Sequence, residues 1–180
     1  MGPEWRRLQA AAHELDARLR ATPFRTLNHG DFKAENLLFG GEPPACAAYD
    51  LQYCGGGSGT KDIAYLFTSA LPARLLAQRE GELLGFYHAQ LLEGLKELAA
   101  GGGAGVGDPV AAADAVERYS FDAMLAEYKL ALCDYVRFMA GCVAWLACMP
   151  QPASIFGCTV VRPAAWCVLV LSELCCCKAH

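Results

Sequence analysis

The apolar residues behind Ser120 constrain this chain most. Phe121, Met124, Leu125, Tyr128, Leu132, Val136, Met139 and Val143 recur at helical spacing, so they fall on one stripe of an α-helix that must be buried against other elements. Ser120 stands at the N-cap position, with Asp122 in the first turn, where a carboxylate meets the positive helix end. A second long segment follows Pro72, with Leu76, Leu84, Tyr87, Leu91, Leu95 and Leu98 spaced by three, four or their sums. Trp5, Leu8, Ala12, Leu15 and Leu19 predict an amphipathic helix ended by Thr22-Pro23, and Ile63, Leu66, Phe67 and Ala70 predict another. A last helix is expected within Ala164–Cys177, and the Gly/Ala-rich run Ala99–Gly107 reads as a linker.

A helical scaffold needs enough apolar surface to close on itself. At 180 residues, 54% of them hydrophobic and 19% charged, the chain can bury a core the size of one domain or one large lobe. The net charge of −4 lacks the basic face of a nucleic-acid binder, so no nucleic-acid partner is expected. The 10 cysteines contain no Cys-x-x-Cys pair and end in the adjacent Cys175, Cys176 and Cys177. That spacing argues against a zinc site or a disulfide framework. Reduced cysteines buried as small hydrophobes, and hence a cytoplasmic location, are expected. Met1–Leu19 carries charges throughout and is no targeting signal. Phe138–Val161 is free of charge, but Pro150-Gln151-Pro152 divides it, so a buried helix and a turn are expected rather than a membrane span.

Between the first helix and residue 60 the pattern changes. Phe24–Asn28, Leu37–Phe39 and Ala45–Asp50 are short strand-like runs, and Gly40-Gly41-Glu42-Pro43-Pro44 predicts a hairpin turn between the last two. Gly55-Gly56-Gly57-Ser58-Gly59 reads as a flexible loop. Within this stretch stand Asp31, Asn36 five residues later, and Asp50 at the end of the second hairpin strand. Folding the hairpin brings Asn36 and Asp50 to the same end. Phosphoryl transfer needs that set of groups. One carboxylate accepts the proton of the attacking hydroxyl, while an amide oxygen and a second carboxylate hold Mg²⁺ against the nucleotide phosphates.

The run His29-Gly30-Asp31-Phe32-Lys33-Ala34-Glu35-Asn36, followed by Asp50-Leu51-Gln52, resembles the catalytic and metal-binding loops of the protein-kinase-like superfamily. No Ala-Pro-Glu follows the second Asp. Instead Lys61-Asp62-Ile63-Ala64-Tyr65-Leu66 comes after a glycine-rich stretch. That order resembles the choline-kinase-like and ecdysteroid-kinase-like enzymes, relatives of the aminoglycoside phosphotransferases. The resemblance is sharp over residues 26–67 and looser to about 140.

The resemblance implies an α+β, mainly helical fold, the C-terminal lobe of a kinase-like enzyme with a small hairpin at the catalytic loop. It implies ATP-dependent phosphorylation of a small-molecule alcohol, with Asp31 as the base and Asn36 and Asp50 as ligands of Mg²⁺. Lys33 occupies the place where protein kinases keep a lysine on the transferred phosphate. His29 and Asp62 are expected to support the loop. Only 30 residues precede Asp31, too few for a five-stranded nucleotide-binding lobe. The expectation is therefore a single lobe, residues 68–177 forming its helical part, able to associate through the face such a lobe would cover. A non-catalytic kinase-like lobe acting as a binding module is the alternative.

Overall fold

A computed structural model describes residues 3–101 and 108–148. The fold is α+β and mainly helical. Helices α1 (Pro3–Ala10) and α2 (Ala12–Arg20) come first, then strand β1 (Arg25–Asn28) and the hairpin β2 (Leu37–Gly40) with β3 (Ala45–Ala48). Strand β4 (Gly55–Ser58) precedes the helices α3 (Thr60–Ala70), α4 (Ala73–Ala99), α5 (Pro109–Arg118) and α6 (Phe121–Cys148).

Local chemistry accounts for the helix starts. Ser120 Oγ accepts from the Ala123 N–H at 3.2 Å and so caps α6. Asp108 accepts from the Val110 N–H at 2.9 Å, with Pro109 in the first turn of α5 where no N–H is needed. The first amphipathic segment is two helices rather than one, separated at Ala11. The second of them, α2, turns Leu15 and Leu19 inward.

The core lies where α3, α4 and α6 meet. Ala64 and Phe67 of α3, Leu84 of α4, and Met124, Tyr128 and Leu132 of α6 are buried there, joined by Leu19 and Tyr119. Tyr128 OH donates to Glu80 at 2.7 Å, so a buried phenol keeps a partner.

The glycine-rich stretch is not a loop. Gly55–Ser58 pairs antiparallel with β1, with Arg25 opposite Ser58 and Asn28 opposite Gly55. Glycine has little intrinsic tendency to form strands, so the strand exists because β1 offers an edge. The missing side chains leave room: a Cβ on Gly57 would stand 3.2 Å from Asn28 Nδ2, and one on Gly56 the same distance from an Arg25 guanidinium nitrogen.

The cysteines also depart from expectation. Cys46 and Cys54 are exposed and Cys133 and Cys142 half-buried, all as free thiols. Exposure follows from the site of the first two, on the thin hairpin sheet and beside β4. The linker tip at 102–107, Pro150–Pro152, the helix expected within Ala164–Cys177 and the three terminal cysteines lie outside the described residues. No helix among the described residues is long and apolar enough to cross a membrane.

Candidate active site

The sequence forces a tight loop between β1 and the hairpin. Gly30 has φ +84°, and a Cβ there would press into the main-chain carbonyl of Tyr53, so glycine is the residue the turn accepts. Residues Ala34–Asn36 form a single 3₁₀ turn. That turn folds Asn36 back onto Asp31: its Nδ2 donates to the main-chain oxygen of Asp31 at 2.9 Å and to Oδ2 at 3.0 Å. Lys33 Nζ reaches the same Oδ2 at 2.7 Å. Asp31 and Asn36 are both buried.

Two further groups hold the loop. Asp62, in the first turn of α3, accepts from the N–H of His29 at 2.6 Å and of Gly30 at 2.9 Å. It is half-buried rather than fully enclosed. His29 is buried, with Nδ1 accepting from the Asp31 N–H at 3.3 Å. Its Nε2, 2.8 Å from the Tyr49 oxygen, is then the protonated nitrogen and donates. The imidazole thus ties the loop of His29–Asn36 to the end of the far hairpin strand.

The hairpin brings Asp50 to the same end. Leu37 pairs with Ala48, and Tyr49 N donates to Asn36 O at 3.1 Å, so Asp50 follows the residue opposite Asn36. Asp50 is exposed, and its carboxylate accepts from Gln52 Nε2 at 3.4 Å. It is also the one non-glycine residue at positive φ, +64°, among the described residues. Asp tolerates that left-handed geometry at a modest cost. Asp31, Lys33 and Asn36 are therefore in direct contact. Asp50 joins them through the hairpin register and through its field, which contributes to raising the Lys33 ammonium pKa behind the larger effect of Asp31.

The electrostatics keep Asp31 ionised. The hydrogen bond from Lys33 holds its carboxyl below the usual carboxylate range; burial opposes this, and Tyr65 and Asn36 add to the lowering. Tyr65, on α3, is the group the sequence reading assigned no role. Burial, and then its hydrogen bond to Asp31, push its phenol well up, so it remains a donor. Its signal was present: Tyr65 stands three residues after Asp62, on the same face of a helix. Glu127 carried no such signal. From α6 it accepts from Thr22 Oγ1, from Ser58 Oγ at 2.6 Å and from Tyr119 OH at 3.0 Å.

The family model of the ecdysteroid kinase-like family matches residues 6–100, more than half of the chain. The chain belongs to that family. No curated protein and no solved structure matches it. The ecdysteroid kinase-like family is kinase-like in its phosphotransfer chemistry and generally uses ATP and Mg²⁺. In this ecdysteroid kinase-like chain His29, Asp31, Lys33, Asn36, Asp50 and Asp62 all fall inside the matched segment, whereas Glu127 lies beyond it.

The donor set suits Mg²⁺. With Nδ2 committed to Asp31, the carboxamide of Asn36 turns its hard oxygen away from that carboxylate, and Asp50 offers an exposed carboxylate at the same hairpin end. Mg²⁺ usually takes one or two protein carboxylates and fills its remaining positions with phosphate oxygens and water. Two protein ligands are therefore enough.

Proposed function

We propose that this chain carries out ATP-dependent transfer of a phosphoryl group to the hydroxyl of a small molecule. The observation that carries this reading is the convergence of Lys33 and Asn36 on one oxygen of an ionised, buried Asp31. Asp31 orients the acceptor hydroxyl and takes its proton. The alcohol oxygen forms a bond to the γ-phosphorus while the bond from that phosphorus to the bridging oxygen breaks, and ADP leaves with the electron pair. Lys33 sits beside Asp31, where its ammonium meets the charge of the transferred group. Asn36 and Asp50 would hold Mg²⁺, which when bound neutralises phosphate charge. His29 and Asp62 keep the loop in place.

The test combines binding with turnover. Mn²⁺ added with ATP should broaden the amide signals of residues near Asn36 and Asp50, and Asp50→Asn should abolish the effect. ADP release against a panel of small alcohols should fall roughly 10²–10⁴-fold in Asp31→Asn, the usual worth of a positioned base. Absence of ATP-dependent broadening would overturn the reading.

A binding role has its own support in the exposed apolar side chains of Leu27, Leu38, Phe39, Leu51 and Tyr53, because such groups mark contact surfaces. Sedimentation should then show association that Phe39→Ser weakens.

A further inference from the structure

A cavity of about 570 Å³ opens beside the catalytic loop, bounded by α2, β1, β4, α3 and α6. Its size suits a drug-sized molecule. Gly55, Gly56 and Gly57 line it, so on that side a ligand meets main chain instead of side chains. Facing them are aromatic rings. Tyr65 and Tyr135 lie 5.0 Å apart between centroids, and Phe138, 54% exposed, stands one helical step from Tyr135 on α6.

The charge at the cavity is unbalanced. Lys61 and Arg137 share a single carboxylate, Asp134, at 3.2 Å and 2.6 Å. Arg25 donates to main-chain oxygens of Arg20 and Gly56 at 3.4 Å and 3.2 Å, and no carboxylate pairs with it among the described residues. Asp62 also lines the cavity, but both its oxygens are engaged by the N–H groups of His29 and Gly30. With Arg20 paired to Asp16 at 2.8 Å, four cationic side chains stand against three carboxylates at the cavity, and one positive charge is left over for an anion.

Asn28, only 7% exposed, adds a polar group to the same wall. Its Nδ2 donates to Ser58 O at 2.9 Å, while its Oδ1 is the one buried side-chain polar atom among the described residues without a partner. The cavity also borders the loop that carries Asp31, because Gly30 and Asp62 line it.

We infer that this cavity takes the acceptor, and that the acceptor is a flat, ring-bearing alcohol carrying an anionic group. The ring lies against Tyr65, Tyr135 and Phe138. The anion faces Arg25, Lys61 and Arg137. The acceptor role rests on the phosphotransfer reading above; the chemical class rests on the cavity.

A matched pair of probes tests it: 6-(hydroxymethyl)-2-naphthoate and its neutral amide, 6-(hydroxymethyl)-2-naphthamide. Binding to the full chain is read by the probe's fluorescence anisotropy and by amide chemical shifts. The naphthoate should bind roughly tenfold more tightly than the amide, the scale of one charge-assisted hydrogen bond. Its shifts should centre on Gly55–Gly57 and Tyr65. Arg25→Gln should bring the two probes to nearly equal affinity, and Phe138→Ala should weaken both alike. Equal affinity in the unaltered chain, no binding, or shifts elsewhere would overturn the inference. If any of these happens while ATP-dependent Mn²⁺ broadening persists at Asn36 and Asp50, the phosphotransfer reading stands without this acceptor. If the naphthoate binds as expected and the broadening is absent, the acceptor role is overturned.

Discussion

Asp62 holds the main chain of His29: its Oδ2 accepts from the His29 N–H at 2.6 Å, and its Oδ1 takes the neighbouring Gly30 N–H at 2.9 Å. One carboxylate from α3 thus fixes the two peptide units that lead into Asp31. Asp62→Ala leaves two donors without their acceptor in a half-buried place. The expected loss is about 1–3 kcal/mol, read as a lower urea midpoint. Asp62→Asn should fall between, since a carboxamide can accept only one of the two bonds. A melting curve unchanged by Asp62→Ala would show that the loop holds itself.

Gly30 carries the second expectation. At φ +84°, with the Tyr53 carbonyl where a Cβ would go, Gly30→Ala must shift the backbone that carries Asp31. The left-handed conformation alone costs about 1–3 kcal/mol for a residue with a side chain, and the steric conflict adds to it. Circular dichroism during thermal unfolding should show the loss. The neighbouring control is Gly40→Ala, where a Cβ meets nothing within 4 Å and stability should barely move.

Glu127 ties together the end of α2, β4 and the approach to α6 through Thr22, Ser58 and Tyr119. Ser58 is fully buried and Tyr119 nearly so. Glu127→Ala should cost about 2–3 kcal/mol by removing the shared acceptor of Thr22, Ser58 and Tyr119, although Ser58 keeps Thr60 Oγ1 at 2.7 Å, and hydrogen exchange at β4 should speed up with it. Glu127→Gln keeps one good acceptor and should recover about half. Unchanged exchange at β4 in Glu127→Ala would mean that the strand is held by β1 alone.

Asp134 gives a pH dependence. Burial pushes its carboxyl up, but the hydrogen bond from Arg137 and the nearby Lys61 outweigh burial and hold it below its ordinary value of 3.8. A carboxyl depressed by folding contributes stability that is present above the unfolded value and lost as pH falls through the folded one. Wild-type stability should therefore drop more steeply than that of Asp134→Asn below about pH 4, with the difference between the two constant from pH 5 to 7. Parallel curves across the acid range would remove Asp134 from the ion cluster.

The sequence by itself determined the elements whose free energy is local. The stripe from Phe121 to Val136 marks α6, and Ser120 caps it, because helical spacing and a side-chain oxygen act within a few residues. The hairpin followed from the Gly40–Pro44 turn between two apolar runs. Asn36 lies on Asp31 because the single 3₁₀ turn Ala34–Asn36 closes a separation of five residues. What the tertiary structure alone decided lies farther apart in the chain. Gly55–Ser58 became a strand because β1, 30 residues earlier for the Asn28–Ser58 contact, offered a pairing edge that glycine would not seek by itself. Glu127 reached Thr22 across 105 residues, and Lys61 met Asp134 between two helices. Such contacts depend on how helices pack, and packing is set by the summed burial of many side chains rather than by any local spacing.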